Sequence, residues 1–191
     1  TARFLDEMGA KIVAISDYAG GIYNPSGLPI DLLADYPDQG RLVQEFGSAD
    51  TISNDELLEL SCDILVPAAV GGVITEQNAD KIKAGSIFEA ANGPITRSGE
   101  SILEDKGKII FPDILVNAGG VIVSYFEWVQ NIQEFTWELD EVNDKLKRIL
   151  INSYQQVCQL ADKQKISMRT AAFMVGVERV AEATRLRGYL N

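Results

Sequence analysis

The sequence contains no histidine, and this single absence removes Ser/His/Asp triads, Cys/His dyads, histidine metal sites and imidazole acid/base chemistry together. No apolar run reaches the length that spans a bilayer, so no membrane partner is expected. Basic residues are scarce: 17 Lys and Arg stand against 28 Asp and Glu, a net charge of −11. That balance leaves no electrostatic grip on nucleic acid or on an anionic membrane. Only two cysteines occur, Cys62 and Cys158, far apart and in no CxxC pattern. They are expected to be two buried free thiols in a reducing cytosol, with no metal site. The first residues, Thr1-Ala2-Arg3-Phe4-Leu5, carry neither an initiator methionine nor the charged and apolar zones of a signal peptide, and read as the inside of something longer.

What is present is an ordinary globular composition: 191 residues, 46% hydrophobic and 24% charged, enough to bury a core without disulfides or metals. Ala2 to Met8 have helical spacing stopped by Gly9, and Ile12-Val13-Ala14-Ile15 then read as a strand buried on both faces. Similar runs recur at Asp63-Ile64-Leu65-Val66, Ser86-Ile87-Phe88-Glu89 and Lys108-Ile109-Ile110-Phe111, separated by segments that can be helical. The alternation predicts an α/β fold with a doubly wound, mainly parallel sheet. Gly20-Gly21, Asn24-Pro25 and Ser26-Gly27 mark turns, followed by acidic helical patches over residues 28–46 and 54–60 that read as surface elements. Helical periodicity runs on from Ile114 through Gln130, and Leu139, Val142, Leu146, Ile149, Leu150, Val157 and Leu160 share one helical stripe. A last helix extends from Met168 towards Arg187, with Ser167 as its cap and Arg185 and Arg187 near its negative end. No linker or repeat divides the chain, so the expected domains are residues 1–131 as the α/β part and 132–191 as a helical extension packing on it.

In a doubly wound sheet, ligands sit at the carboxyl ends of the strands, so the residues closing each strand are the ones to question. Asp17 can accept hydrogen bonds from an adenosine ribose, or can be a solvated aspartate opening a turn. Pro67-Ala68-Ala69 before Gly71-Gly72 lets a flat ligand approach the backbone, though small residues also serve tight packing. The Asn92 amide can serve a nicotinamide or a sugar, or simply a turn. Asn117-Ala118-Gly119-Gly120-Val121 places two glycines in a helical stretch at about 1 kcal/mol each relative to alanine. Close helix packing or close approach of a ligand would each justify them. Ser124 lies one turn beyond Gly120.

Taken together, Ser16-Asp17, Gly20-Gly21-Ile22-Tyr23-Asn24-Pro25, Pro67-Ala68-Ala69, Ala91-Asn92-Gly93-Pro94, Pro112-Asp113 and Asn117-Ala118-Gly119-Gly120-Val121 resemble the glutamate dehydrogenases. Ser124-Tyr125-Phe126-Glu127-Trp128-Val129-Gln130-Asn131 favours the hexameric glutamate enzymes over their leucine, phenylalanine and valine relatives. Ala90 stands where that family usually has glycine, and Ile95-Thr96-Arg97 replaces its usual Thr-Thr-Pro. The family's GxGxxG turn is absent, as is the N-terminal substrate domain that carries its catalytic lysine and aspartate. The resemblance therefore implies an N-terminally truncated, Rossmann-like cofactor domain with no catalytic residue of its own, inactive alone.

For the intact protein, the resemblance implies oxidative deamination of L-glutamate to 2-oxoglutarate and ammonia with NAD, NADP being possible, by a cytoplasmic homohexamer. Asp17, Ala68, Ala69, Asn92 and Asn117 would bind the cofactor, and Val121 and Ser124 would meet the substrate side chain. Three other readings stay open. One is a branched-chain or aromatic amino-acid dehydrogenase, against which Ser124 speaks. The others are a non-catalytic nucleotide-binding regulatory module and a structural assembly protein.

Overall fold

Tyr18 and Ala19 turn the chain back on itself, so β1 (Ala14–Asp17) pairs antiparallel with β2 (Gly20–Tyr23), Ala14 facing Tyr23 and Asp17 facing Gly20. A third strand, β3 (Asp50–Ile52), adds antiparallel to β2. This corrects two expectations. The first apolar run joins a hairpin and is only half-buried, and Gly20-Gly21 form strand backbone where a turn was expected. The glycines have a packing reason. A Cβ on Gly21 would meet the Ile15 carbonyl oxygen at 2.8 Å, and Gly20 holds φ +141°, which side-chain-bearing residues rarely adopt.

The computed structural model describes residues 1–33 and 40–188. They divide into two compact units, residues 1–62 with 81–84, and the described residues of 63–80 and 85–191. In the first unit, α1 (Ala2–Glu7) ends at Met8 ahead of Gly9, and α2 (Ile30–Leu33), a 3-10 turn (Val43–Phe46) and α3 (Asn54–Leu58) surround the hairpin sheet. The predicted patch over residues 28–46 falls partly on 34–39, outside the described residues. Its flanks are not surface elements, because Leu28, Ile30, Leu33 and Val43 form the unit's core with Ile22. Ser53 caps α3 reciprocally: its hydroxyl accepts from Glu56 N at 3.1 Å and Glu56 accepts from Ser53 N at 2.8 Å.

The second unit holds the parallel strands. β4 (Ile64–Leu65), β5 (Ser86–Phe88) and β6 (Ile109–Phe111) lie side by side in that order, all parallel, with Leu65, Ile87 and Ile110 aligned across the sheet and buried. These are three of the four predicted runs, so the α/β class stands with one small parallel and one small antiparallel sheet. α4 (Arg97–Asp105) returns the chain from β5 to β6, and Thr96 caps it by accepting from Gly99 N at 3.1 Å.

The helical stretch predicted from Ile114 is two helices, α5 (Asp113–Val116) and α6 (Ala118–Gln133), broken at Asn117. α7 (Leu139–Gln164) and α8 (Met168–Leu186) complete the unit. Ser167 caps α8 as expected, accepting from Thr170 N at 3.3 Å. Small residues let α7 and α8 close tightly: Val157 and Ala161 pack with the buried Ala171 and Ala172. Of the predicted α7 stripe, Leu139 and Ile149 are exposed, and both free cysteines are half-buried where burial was expected. Among the described residues no helix is long and apolar enough to cross a membrane.

Candidate functional site

Three loops gather beyond the carboxyl ends of β4, β5 and β6. Ala90 N and Ala91 N donate to the Pro67 carbonyl at 3.1 and 2.9 Å, tying the loop after β5 to the loop after β4. Gly72 N donates to the Gly93 carbonyl at 2.8 Å, and a Cβ on Gly71 would lie 2.9 Å from the Asn92 carbonyl oxygen. Glycine at 71 is therefore fixed by the close approach of another backbone. Ala68 and Ala69 stand exposed on the first loop. From the break between α5 and α6, Asn117 Nδ2 donates to Asn92 Oδ1, on the loop after β5, at 2.7 Å. The structure thus brings the two predicted asparagines together across two loops. Gly119 and Gly120 lie just beyond Asn117, and a Cβ on either would meet nothing within 4 Å. Packing among the described residues does not require them.

Behind these loops lies a charged cluster that the sequence reading did not identify. Arg169, in the first turn of α8, donates from Nη2 to Glu89 Oε2 at 2.6 Å, from Nε to both Glu100 oxygens at 2.7 and 2.8 Å, and from Nη1 to Asp113 Oδ1 at 3.1 Å. Glu89 is wholly buried; its Oε2 also accepts from Asp113 N at 2.9 Å, while Oε1 has no partner among the described residues. Burial pushes the Glu89 carboxyl above the ordinary carboxylate range, outweighing the Asp113 N–H and Arg169, which act the other way. Burial also opposes the charge on Arg169, but its hydrogen bonds to Glu100 and Glu89 and their charges prevail and raise its pKa.

Asp113 is the junction. Its Oδ2 accepts from Gly93 N at 2.8 Å and its carbonyl accepts from Asn117 N at 3.0 Å, so one residue holds both asparagine-bearing loops. The signals for this cluster were in the sequence. Glu89 directly follows the apolar strand residues Ile87 and Phe88, and a cation in the first turn of a helix opposes the helix dipole, so each needs a compensating partner.

The remaining predicted residues are placed differently. Asp17 belongs to the first unit, where Oδ1 accepts from Ala19 N and Oδ2 from Val43 N, both at 2.8 Å. Val121 is exposed on α6, and the Ser124 hydroxyl donates to the Gly120 carbonyl at 2.9 Å, the ordinary backbone bond of a mid-helix serine.

Loops gathered at one end of a parallel sheet, carrying small residues and paired amides, define an α/β protein whose strand carboxyl ends are where ligands sit in folds of this class. The chain belongs to the Glutamate/Leucine/Phenylalanine/Valine dehydrogenase family, whose model matches residues 1–188. It is 51% identical to the cryptic catabolic NAD-specific glutamate dehydrogenase GudB of Bacillus subtilis (strain 168) over 99% of its own length and 44% of that protein's. It is 50% identical to the NAD-specific glutamate dehydrogenase of Staphylococcus aureus (strain COL), covering 98% of this chain and 45% of that one. The fold superposes with a TM-score of 0.88 and 31% identity on the hetero-hexameric glutamate dehydrogenase of Thermus thermophilus in its Leu-bound form, covering all of this chain and 45% of that one. The chain thus spans less than half the length of the relatives it matches.

Proposed function

We propose that the chain is the cofactor-binding part of an NAD-dependent enzyme that oxidatively deaminates L-glutamate to 2-oxoglutarate and ammonia. The observation that carries this reading is the Asn117–Asn92 pair at the carboxyl end of the parallel sheet, in a chain about half identical to proteins named NAD-specific glutamate dehydrogenases. The donor set fits a nicotinamide. One amide hydrogen bond joins the two asparagines, which leaves an amide donor on one and an amide acceptor on the other. A primary carboxamide needs one of each.

The chemistry that NAD would supply there is acceptance of a hydride from the substrate α-carbon. The work of this chain's own residues is positioning. Asn92 and Asn117 orient the nicotinamide end, Ala68 and Ala69 line the cofactor cleft, and Asp17 holds the adenosine ribose with the lone pairs its two backbone bonds leave free. Val121 and Ser124 meet the substrate side chain, the serine hydroxyl turning from the Gly120 carbonyl to the γ-carboxylate. The groups that move protons come from outside these 191 residues. Residues 1–131 then form an incomplete, doubly wound Rossmann-like domain. Residues 132–191 form its helical extension, a reading supported by Leu115 packing into the α7–α8 core. The same reading makes the whole protein a cytoplasmic homohexamer.

Steady-state kinetics of the full-length protein test this. Glutamate with NAD should give the highest kcat/KM. NADP should do worse, because Asp17 sets a negative charge where a 2′-phosphate would lie and Tyr18 to Asn24 offer no lysine or arginine to pair it. Turnover of leucine in preference to glutamate, or no turnover with either cofactor, would overturn the assignment. The 191-residue chain alone should show no turnover.

A further inference from the structure

We propose that Arg169 is a positioning residue for the nicotinamide end of the cofactor, acting through Asp113 to fix the spacing of Asn92 and Asn117; this rests on the cofactor reading above. Arg169 itself does not touch either asparagine. Its guanidinium draws together Glu89 at the end of β5, Glu100 on α4 and Asp113 at the start of α5. Asp113 then reaches both loops by different atoms, its side chain holding Gly93 N and its carbonyl holding Asn117 N. Glu89 supports it from below through Asp113 N.

Every link between Arg169 and the asparagine pair is a direct hydrogen bond of 3.1 Å or less, or the covalent step from Gly93 to Asn92. The planar guanidinium serves three carboxylates from three nitrogens in one plane, Nη2 to Glu89, Nη1 to Asp113 and a single Nε–H shared between the two Glu100 oxygens, a geometry that a lysine ammonium cannot reproduce. A purely structural bridge would need only one of these partners. Here three are spread over the elements that carry or flank the two asparagine loops.

The test uses the full-length protein with Arg169→Lys, which keeps the charge and loses the fork, and Asp113→Asn, which keeps the size and loses the charge. Kd is measured for NAD and for ADP-ribose, which lacks the nicotinamide. Both variants should weaken NAD about tenfold, as expected of sub-ångström misplacement of a contact pair, and ADP-ribose by less than about twofold. In an Asn117→Ala background, Arg169→Lys should weaken NAD no further, because the two changes act on one contact. Equal losses for NAD and ADP-ribose, or additive losses with Asn117→Ala, would overturn the positioning role and leave Arg169 a structural bridge. If Arg169→Lys does not fold, Asp113→Asn carries the same comparison. If the unsubstituted protein binds no NAD, the cofactor reading fails separately. Crystal structures of the two variants then decide the positioning claim: it predicts loss of the 2.7 Å Asn117–Asn92 bond, and retention of that bond refutes it.

Discussion

Asp17 closes β1 in one unit and Asp113 follows β6 in the other, and the two aspartates hold their surroundings by different means. Asp17 ties its own two-residue turn at Ala19 N and one neighbouring turn at Val43 N. Asp113 receives Arg169 from α8 and Glu89 from β5, and passes that fixation to two loops. The first arrangement is local and can fail without disturbing a distant group. The second is a network in which one loss reaches several elements, because buried charges left unpaired are expensive.

The largest expected effect breaks the network. Arg169→Met leaves three carboxylates around an apolar side chain, one of them fully buried, and should lower the unfolding free energy by about 3 kcal/mol in urea titrations. A loss no larger than that of a surface substitution would show that the carboxylates find other donors. Next, Gly71→Ala drives a methyl into the Asn92 carbonyl and should lose about 2 kcal/mol. Gly119→Ala, with open space around its Cβ, should instead gain a few tenths up to about 1 kcal/mol. Thermal unfolding of the pair sharpens the distinction between a glycine set by packing and one kept for another reason.

On the hairpin side, Asp17→Ala removes the side-chain acceptors of two backbone N–H groups, one of them partly buried, and should reduce stability by about 1 to 2 kcal/mol. It should leave the Asn92–Asn117 pair untouched, which amide hydrogen exchange at Gly93 can check.

The pH dependence of Glu89 follows from the direction of its shift. Its folded pKa lies above the ordinary 4.5, so the folded state keeps a proton that the unfolded chain releases. Its contribution is complete below 4.5 and is lost as pH rises through the folded value. Relative to the Glu89→Gln variant, the unsubstituted chain should therefore lose stability on going from pH 4.5 towards neutral, by at most about 1.4 kcal/mol per pH unit. Parallel stability curves would show that Arg169 keeps Glu89 ionised throughout. The smallest effect belongs to Ser124→Ala, whose backbone bond on an exposed helix face should be worth under about 0.5 kcal/mol. The same substitution in the full-length protein should cost about 1.5 to 3 kcal/mol in kcat/KM for glutamate and much less for norvaline. Equal losses for both would make Ser124 a helix residue only.

The elements that local pattern dictates were legible. Three of the apolar runs are the parallel strands β4 to β6, and the Ser167 cap and Gly9 stop lie where propensity puts them. The hairpin was not, because strand direction depends on which backbone a run meets, and Ile12-Val13-Ala14-Ile15 reads the same in either pairing. Gly20-Gly21 misled because glycine signals both turns and close backbone approach. Of the candidate site, Asn92 and Asn117 could be read one at a time but not as a pair, since 25 residues separate the bonded side chains. The Arg169 cluster was hidden for the same reason, its partners lying 56 to 80 positions away.

The double duty of Asp113 has a mechanical consequence. Because the Gly93 amide hangs from the side chain of Asp113 and the Asn117 amide from its main chain, a rigid shift of α5 carries both asparagines together, whereas a turn of the Asp113 side chain, the part that Arg169 clamps, moves one loop against the other. The mount rejects common-mode motion and yields only to differential motion, which requires turning that side chain or breaking one of two particular hydrogen bonds. Thermal movement of the helical layer can then be substantial while the gap between the two amides stays close to that of a single hydrogen bond.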